Sequence, residues 1–137
     1  MKAHRLTILL TILLLASACG PKGYYTPEFL QDSTLRLSVG DEDILRYDPY
    51  DYQYAYNREK LEFRLHTDNM SEYVLLSLDE EPTHENQVVT ASSIRWTRDK
   101  GSDIIKKNIA LEVVKVEGDV VWLWNSRESL KMTARFR

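Results

Sequence analysis

From Leu35 to Arg137, apolar and polar residues alternate with a period of two in segment after segment. Leu35, Leu37 and Val39 alternate with Arg36 and Ser38, and Leu61, Phe63 and Leu65 with Glu62, Arg64 and His66. Leu130, Met132, Ala134 and Phe136 alternate with Lys131, Thr133, Arg135 and Arg137. A strand points successive side chains to opposite faces, so each segment predicts a strand with one buried and one wet face. Residues 73–78 and 88–96 extend the series across an acidic loop, 79–85, that contains Pro82. Residues 109–116 and 120–124 flank Glu117-Gly118-Asp119, a tight turn whose glycine supplies the positive φ a hairpin needs. Within 103–116 the Ile105/Ile109/Val113 spacing would also suit a helix, but β-branched density and the hairpin that follows favour a strand. Thr26-Pro27-Glu28-Phe29-Leu30 predicts one short helix, with Thr26 as N-cap, Pro27 at the first helical position and Glu28 favourable to the dipole. Seven to nine short strands and almost no helix predict an all-β antiparallel domain. A two-sheet β-sandwich comes first, with a small lipocalin-like β-barrel as the alternative.

The amino end follows another rule. Lys2 and Arg5 make a basic start, residues 6–15 an apolar run broken only by Thr7 and Thr11, and Ala16-Ser17-Ala18 a small-residue cleavage site. The run from 6 to 18 covers 13 residues, whereas a membrane-spanning helix needs ~20, so the segment reads as a removable export signal. An ordinary signal peptidase would release a soluble protein beginning at Cys19. A lipoprotein peptidase would make the same cut before a Cys19 already carrying diacylglycerol, whose amino group then takes a further acyl chain such as palmitate. The latter is the preferred reading, because Cys19 is the only cysteine in the chain and stands at the one position where lipidation uses it. The chain then divides into a signal peptide, 1–18, a lipidated tether, 19–25, and a single all-β domain, 26–137.

Leu15-Ala16-Ser17-Ala18-Cys19-Gly20 resembles a bacterial lipobox, although Leu usually stands three residues before the cysteine and Ala16 stands there here. Val113 to Asn125, following Ile94-Arg95-Trp96-Thr97, resembles the C-terminal half of small uncharacterised cell-envelope lipoproteins of Bacteroidales. The likeness covers the signal and residues 73–125. It implies an envelope location and a β domain, and it brings no activity. Gly20 lacks the Asp that retains lipoproteins at the inner membrane under the enterobacterial rule, which implies the outer membrane. No acidic residue follows Cys19 directly, so the periplasmic face is preferred to the cell surface. Asp32-Ser33-Thr34 also matches the O-glycosylation pattern of these bacteria.

Composition narrows the function. Removing the signal from the 137 residues leaves 119, enough for one core and too few for two. Of the 18 basic residues Lys2 and Arg5 leave with the signal, so 16 face 21 acidic ones. Residues 19–93 hold 6 basic against 15 acidic, and residues 94–137 hold 10 against 6. This split reads as solvent faces of opposite sign on one domain rather than a nucleic-acid surface, which an exported protein does not meet. With Cys19 consumed by lipid, stability comes from burial and not from a disulfide.

Candidate chemistry is sparse. Tyr50, Tyr52, Tyr54 and Tyr56 at strand spacing predict four rings on one face, with Asp51, Gln53, Ala55 and Asn57 on the other. Such a row can stack on sugar rings or cover the rim of the core. Trp122 and Trp124 share a strand face, with Leu123 opposite, and predict one core and one contact residue. Asp41, Glu42, Asp43, Asp48 and Asp51 lack the spacing and central glycine of a calcium loop and read as a solvated turn. His66 and His84 have no metal-ligand spacing, and the chain has no Gly-x-Ser-x-Gly elbow or phosphate loop. The expectation is a non-enzymatic, cofactor-free module. Its partners would be the membrane, through Cys19, and an envelope protein or a glycan. A lipocalin-like barrel would instead make it a hydrophobic-ligand carrier.

Overall fold

The computed structural model describes residues 25–40 and 42–137. Among these residues one short helix, α1 (Pro27–Gln31), precedes nine strands: β1 (Arg36–Val39), β2 (Glu42–Arg46), β3 (Tyr52–Asn57), β4 (Glu62–Thr67), β5 (Tyr73–Leu78), β6 (Val88–Thr97), β7 (Ile104–Glu117), β8 (Val120–Asn125) and β9 (Leu130–Arg135). All neighbours are antiparallel and form one sheet in the order β2-β1-β9-β8-β7-β6-β5-β4-β3. From β3 to β9 the chain is a plain meander, and β1 closes the amino end onto the last strand. The all-β antiparallel fold is therefore the one the alternation predicts, with residues 104–117 as a strand.

The sheet curls into a half-barrel, so a single sheet supplies both walls of the core. Its concave face collects the alternate residues of successive strands: Leu37, Phe63, Leu65, Leu76, Ile94, Leu111, Leu123 and Met132, all fully buried. Each such side chain stabilises the fold by ~1.5–3 kcal/mol relative to exposure. The curl needs the strands to bend. At Ser92 and Asn108 the inward phase of β6 and β7 changes together, so that Ala91 and Ile94 both point inward, as do Ile109 and Lys106. Asn108 has a φ of 57°, the left-handed region that Asn tolerates better than most residues. Register shifts between Leu37 and Ser38, Ser77 and Leu78, and Val113 and Lys115 add local twist in the same way.

The two ends of the sheet, β2 and β3, meet through side chains. Tyr54 stands edge-on to Tyr47, just past β2, with ring centroids 5.4 Å apart. Tyr56 stands edge-on to Phe136, just past β9, at 5.1 Å, and Phe63 of β4 reaches the same ring at 6.1 Å.

On the convex face sits a second, smaller cluster: Phe29 of α1 against Val120 and Trp122 of β8, flanked by Tyr25, Leu30 and Val114. A helix of five residues does not hold itself together in water. Pro27 fixes the first turn, the Thr26 carbonyl accepts the Phe29 N–H, and burial of Phe29 supplies the rest.

Candidate functional site

The alternation of β8 sends Val121 and Leu123 into the core and Trp122 and Trp124 to the convex face. Both indoles are engaged by the chain's own amino end. Trp122 is buried, and its Nε1–H donates to the carbonyls of Phe29, at 2.9 Å, and Asp32, at 3.1 Å. The Lys115 ammonium lies 4.5 Å from the Trp122 ring centroid and donates to the Leu30 carbonyl at 2.6 Å. Tyr25 stands edge-on to Trp124 with centroids 4.9 Å apart. Both tryptophans therefore face away from the main core: Trp122 is buried under α1, and Trp124 is half-buried against Tyr25.

Asp32 anchors the far side of this segment. Its carboxylate accepts the Thr34 N–H at 2.9 Å and an Arg46 Nη2–H at 2.8 Å, and pairs with Arg36 at 3.4 Å. The Arg36 guanidinium in turn lies 5.4 Å from the Phe29 ring centroid. Burial raises the Asp32 carboxyl, but the hydrogen bonds from Thr34 and Arg46 and the Arg46 charge outweigh it and hold the group down at about 2. The same carboxylate holds Arg46 above its usual range. Ser33 is exposed and Thr34 half-buried in the matched tripeptide.

Beside Trp124 the convex face carries an open groove of about 580 Å³, lined among others by Val88, Lys107, Ala110, Glu112 and Trp124. Glu128 stands at its end, where the Asn125 amide donates to the Ala110 carbonyl, and the inward-facing Lys106 reaches Glu128 at 2.7 Å. Val88 is 58% exposed in it. The groove mixes one apolar wall with charges of both signs, which suits a polar surface partner better than an apolar ligand.

The tyrosine row is divided. Tyr50 lies in the turn before β3 and is 86% exposed, whereas Tyr52, Tyr54 and Tyr56 point to the concave side and are half-buried against the core. The four rings therefore do not share one face. Asp48 accepts the Tyr50 N–H, and Pro49 follows it, so turn chemistry overrides the strand spacing at Tyr50. The Tyr54 hydroxyl accepts from Arg135 Nη1 at 2.7 Å, and Arg135 Nε lies 3.6 Å from Asp119. The Tyr56 hydroxyl donates to Glu81 at 3.0 Å; burial, then this bond and the Glu81 charge, push its pKa up to about 12. Burial also raises Tyr52, helped by the charges of Glu72, Asp51 and Asp48. What β3 shows to solvent on its convex side is Gln53, Ala55 and Asn57.

The acidic cluster is also divided. Glu42 and Asp43 belong to β2 rather than to a turn, and Asp43 accepts from the Ser38 hydroxyl and pairs with Arg46 at 3.4 Å. Asp41 lies outside the described residues, as does Cys19 with the whole signal. Among the described residues no group of three or more His, Cys, Asp or Glu side chains is placed to hold a metal ion. None of their helices is long and apolar enough to cross a membrane. The arrangement that sequence reasoning missed is the docking of α1 on β8. Thr26-Pro27 announced the helix, but no local signal names a partner some ninety positions away. No protein-family model matches the chain, and neither the curated proteins nor the solved structures contain a match to it.

Proposed function

We propose that this protein is a lipid-anchored module of the bacterial cell envelope, held to the outer membrane through Cys19 and working by binding rather than catalysis. The observation that carries the reading is the position of α1. Tyr25 and Phe29, six and ten residues beyond Cys19, are locked onto Trp124 and Trp122. Six residues reach ~20 Å when extended, so an acylated Cys19 holds the convex face near the leaflet and turns the rest of the sheet away from it. A single acyl chain anchors only marginally and two or more hold stably, so the fully modified cysteine needs no further membrane contact. An envelope protein docking on the sheet is the partner this arrangement suits. The export signal and the preference for the periplasmic face belong to the same reading.

Membrane fractionation of cells producing the natural chain and Cys19→Ala tests it. The natural protein is expected in the outer-membrane fraction and in the detergent phase, and the variant in the soluble or unprocessed fraction. Equal distribution of the two would overturn the anchor.

A further inference from the structure

We propose that β3 is a self-pairing edge through which two copies of this chain join antiparallel, about a two-fold axis at Tyr54, into one sheet running through both molecules. The inference goes beyond the envelope reading and does not depend on the lipid.

The backbone of β3 is aimed for it. The Asp68 N–H donates to the Asp51 carbonyl, and the register continues as Gln53 opposite His66, Ala55 opposite Arg64 and Asn57 opposite Glu62. In an antiparallel pair the N–H and C=O of one residue point to the same side, and those of the next residue to the other. The backbone groups of Tyr52, Tyr54 and Tyr56 therefore point off the sheet, where β3 has no neighbouring strand among the described residues. The Tyr52 N–H is taken by the Asp48 carbonyl, which leaves the groups of Tyr54 and Tyr56 and the Tyr52 carbonyl for a partner.

The two edges of the sheet are also treated differently. Edge strands that must not associate carry charges, bulges or proline. The β2 edge carries Glu42, Asp43 and Arg46, and a register shift interrupts its pairing with β1. The β3 segment, Tyr-Gln-Tyr-Ala-Tyr-Asn, carries no charge and no proline, and its pairing with β4 runs without a shift. Contacts from the concave side fix it further: Tyr47 and Arg135 hold the Tyr54 ring, and Glu81 and Phe136 hold Tyr56.

The ends of the strand select the occupant. Asp48 and Asp51 precede β3, and Arg58-Glu59-Lys60, of net charge +1, follow it, with Arg58 also 3.6 Å from Glu81. Antiparallel pairing with a second copy sets each acidic end beside the partner's basic end, whereas parallel pairing would set like charge against like. A two-fold axis normal to the sheet keeps each side chain on its own face, so only an even register is allowed. With Tyr54 opposite the second copy's Tyr54, these two residues exchange two backbone hydrogen bonds. Each Tyr56 N–H reaches the other copy's Tyr52 carbonyl, and Asp48 falls opposite Lys60. On the convex side Gln53 then stands opposite Ala55 of the other copy, as a non-hydrogen-bonded pair with Cβ atoms ~4.5–5.5 Å apart.

The test uses the mature chain, residues 19–137, with Cys19→Ser, in sedimentation at graded concentration. A reversible dimer is expected. Gln53→Lys with Ala55→Lys, both at exposed positions, is expected to weaken it about tenfold by like-charge repulsion while leaving the circular dichroism and melting unchanged. Gln53→Cys with Ala55→Cys is expected to give a disulfide-linked dimer under mild oxidation. A chain that stays monomeric up to its solubility limit would overturn the proposal. So would a dimer that is indifferent to the lysine pair, or one that the cysteine pair fails to link.

Discussion

At Asp32 one carboxylate ties together the end of α1, the start of β1 and the edge strand β2, through Thr34, Arg36 and Arg46. Its pKa is lowered from 3.8 to about 2 in the fold, so the contribution is fully present above the unfolded value and is lost as pH falls through the folded one. The side chain is 29% exposed, and solvent screening reduces the effect to ~1 kcal/mol. Asp32→Asn should therefore lower stability by ~1 kcal/mol at pH 7 and make almost no difference near pH 2. Urea titrations of both proteins at the two values check this, and an equal deficit at both would show that the charge is not what matters. The acidic cluster was legible as charge, but Glu42 and Asp43 were expected in a turn. Their charges are accepted in a strand because β2 is an edge, where only Leu45 is buried and Arg36 and Arg46 stand within ion-pair reach of Asp43.

At the scale of elements, the period of two located β4 to β9 well because in each strand core-facing residues alternate with residues facing away from the core, even in β8, where α1 covers the second face. It placed β3 too early, since Pro49 and the Asp48 side chain hold Tyr50 in a turn. It also placed Trp122 and Trp124 together on the face opposite Leu123, but could not supply what covers them. That cover is α1, and its stability depends on one ring. Phe29→Ala should cost ~3 kcal/mol, red-shift the emission of Trp122 and speed amide exchange in 27–32 while protection in β5 and β6 persists. Unchanged emission and stability would mean that α1 is not seated on β8. At the β7–β8 hairpin the expected glycine is in place: Gly118 has a φ of 64°, and a side chain there would meet open space, so its requirement is conformational rather than steric.

At the scale of the whole molecule, the half-barrel is closed by rings rather than by backbone pairing, and Phe136 touches both Tyr56 and Phe63. Phe136→Ala should lower stability by ~3 kcal/mol and loosen the β3–β4 hairpin selectively, read as faster exchange in 52–67 than in β7 and β8. Uniform loss of protection would instead make closure part of one cooperative unit. The concave face is filled by side chains such as Phe63, Leu65 and Leu111, so open surface lies outside it, in the convex groove beside Trp124, in a groove of about 650 Å³ over Ala55, Arg64 and Leu75, and along the β3 edge. In the proposed reading the anchor sets where a partner would be met. The most direct test is the intact mass of the native protein together with its amino-terminal peptide. The account predicts a chain beginning at Cys19 and bearing a diacylglyceryl group and a third acyl chain. An unmodified Cys19, or residues 1–18 still attached, would contradict it.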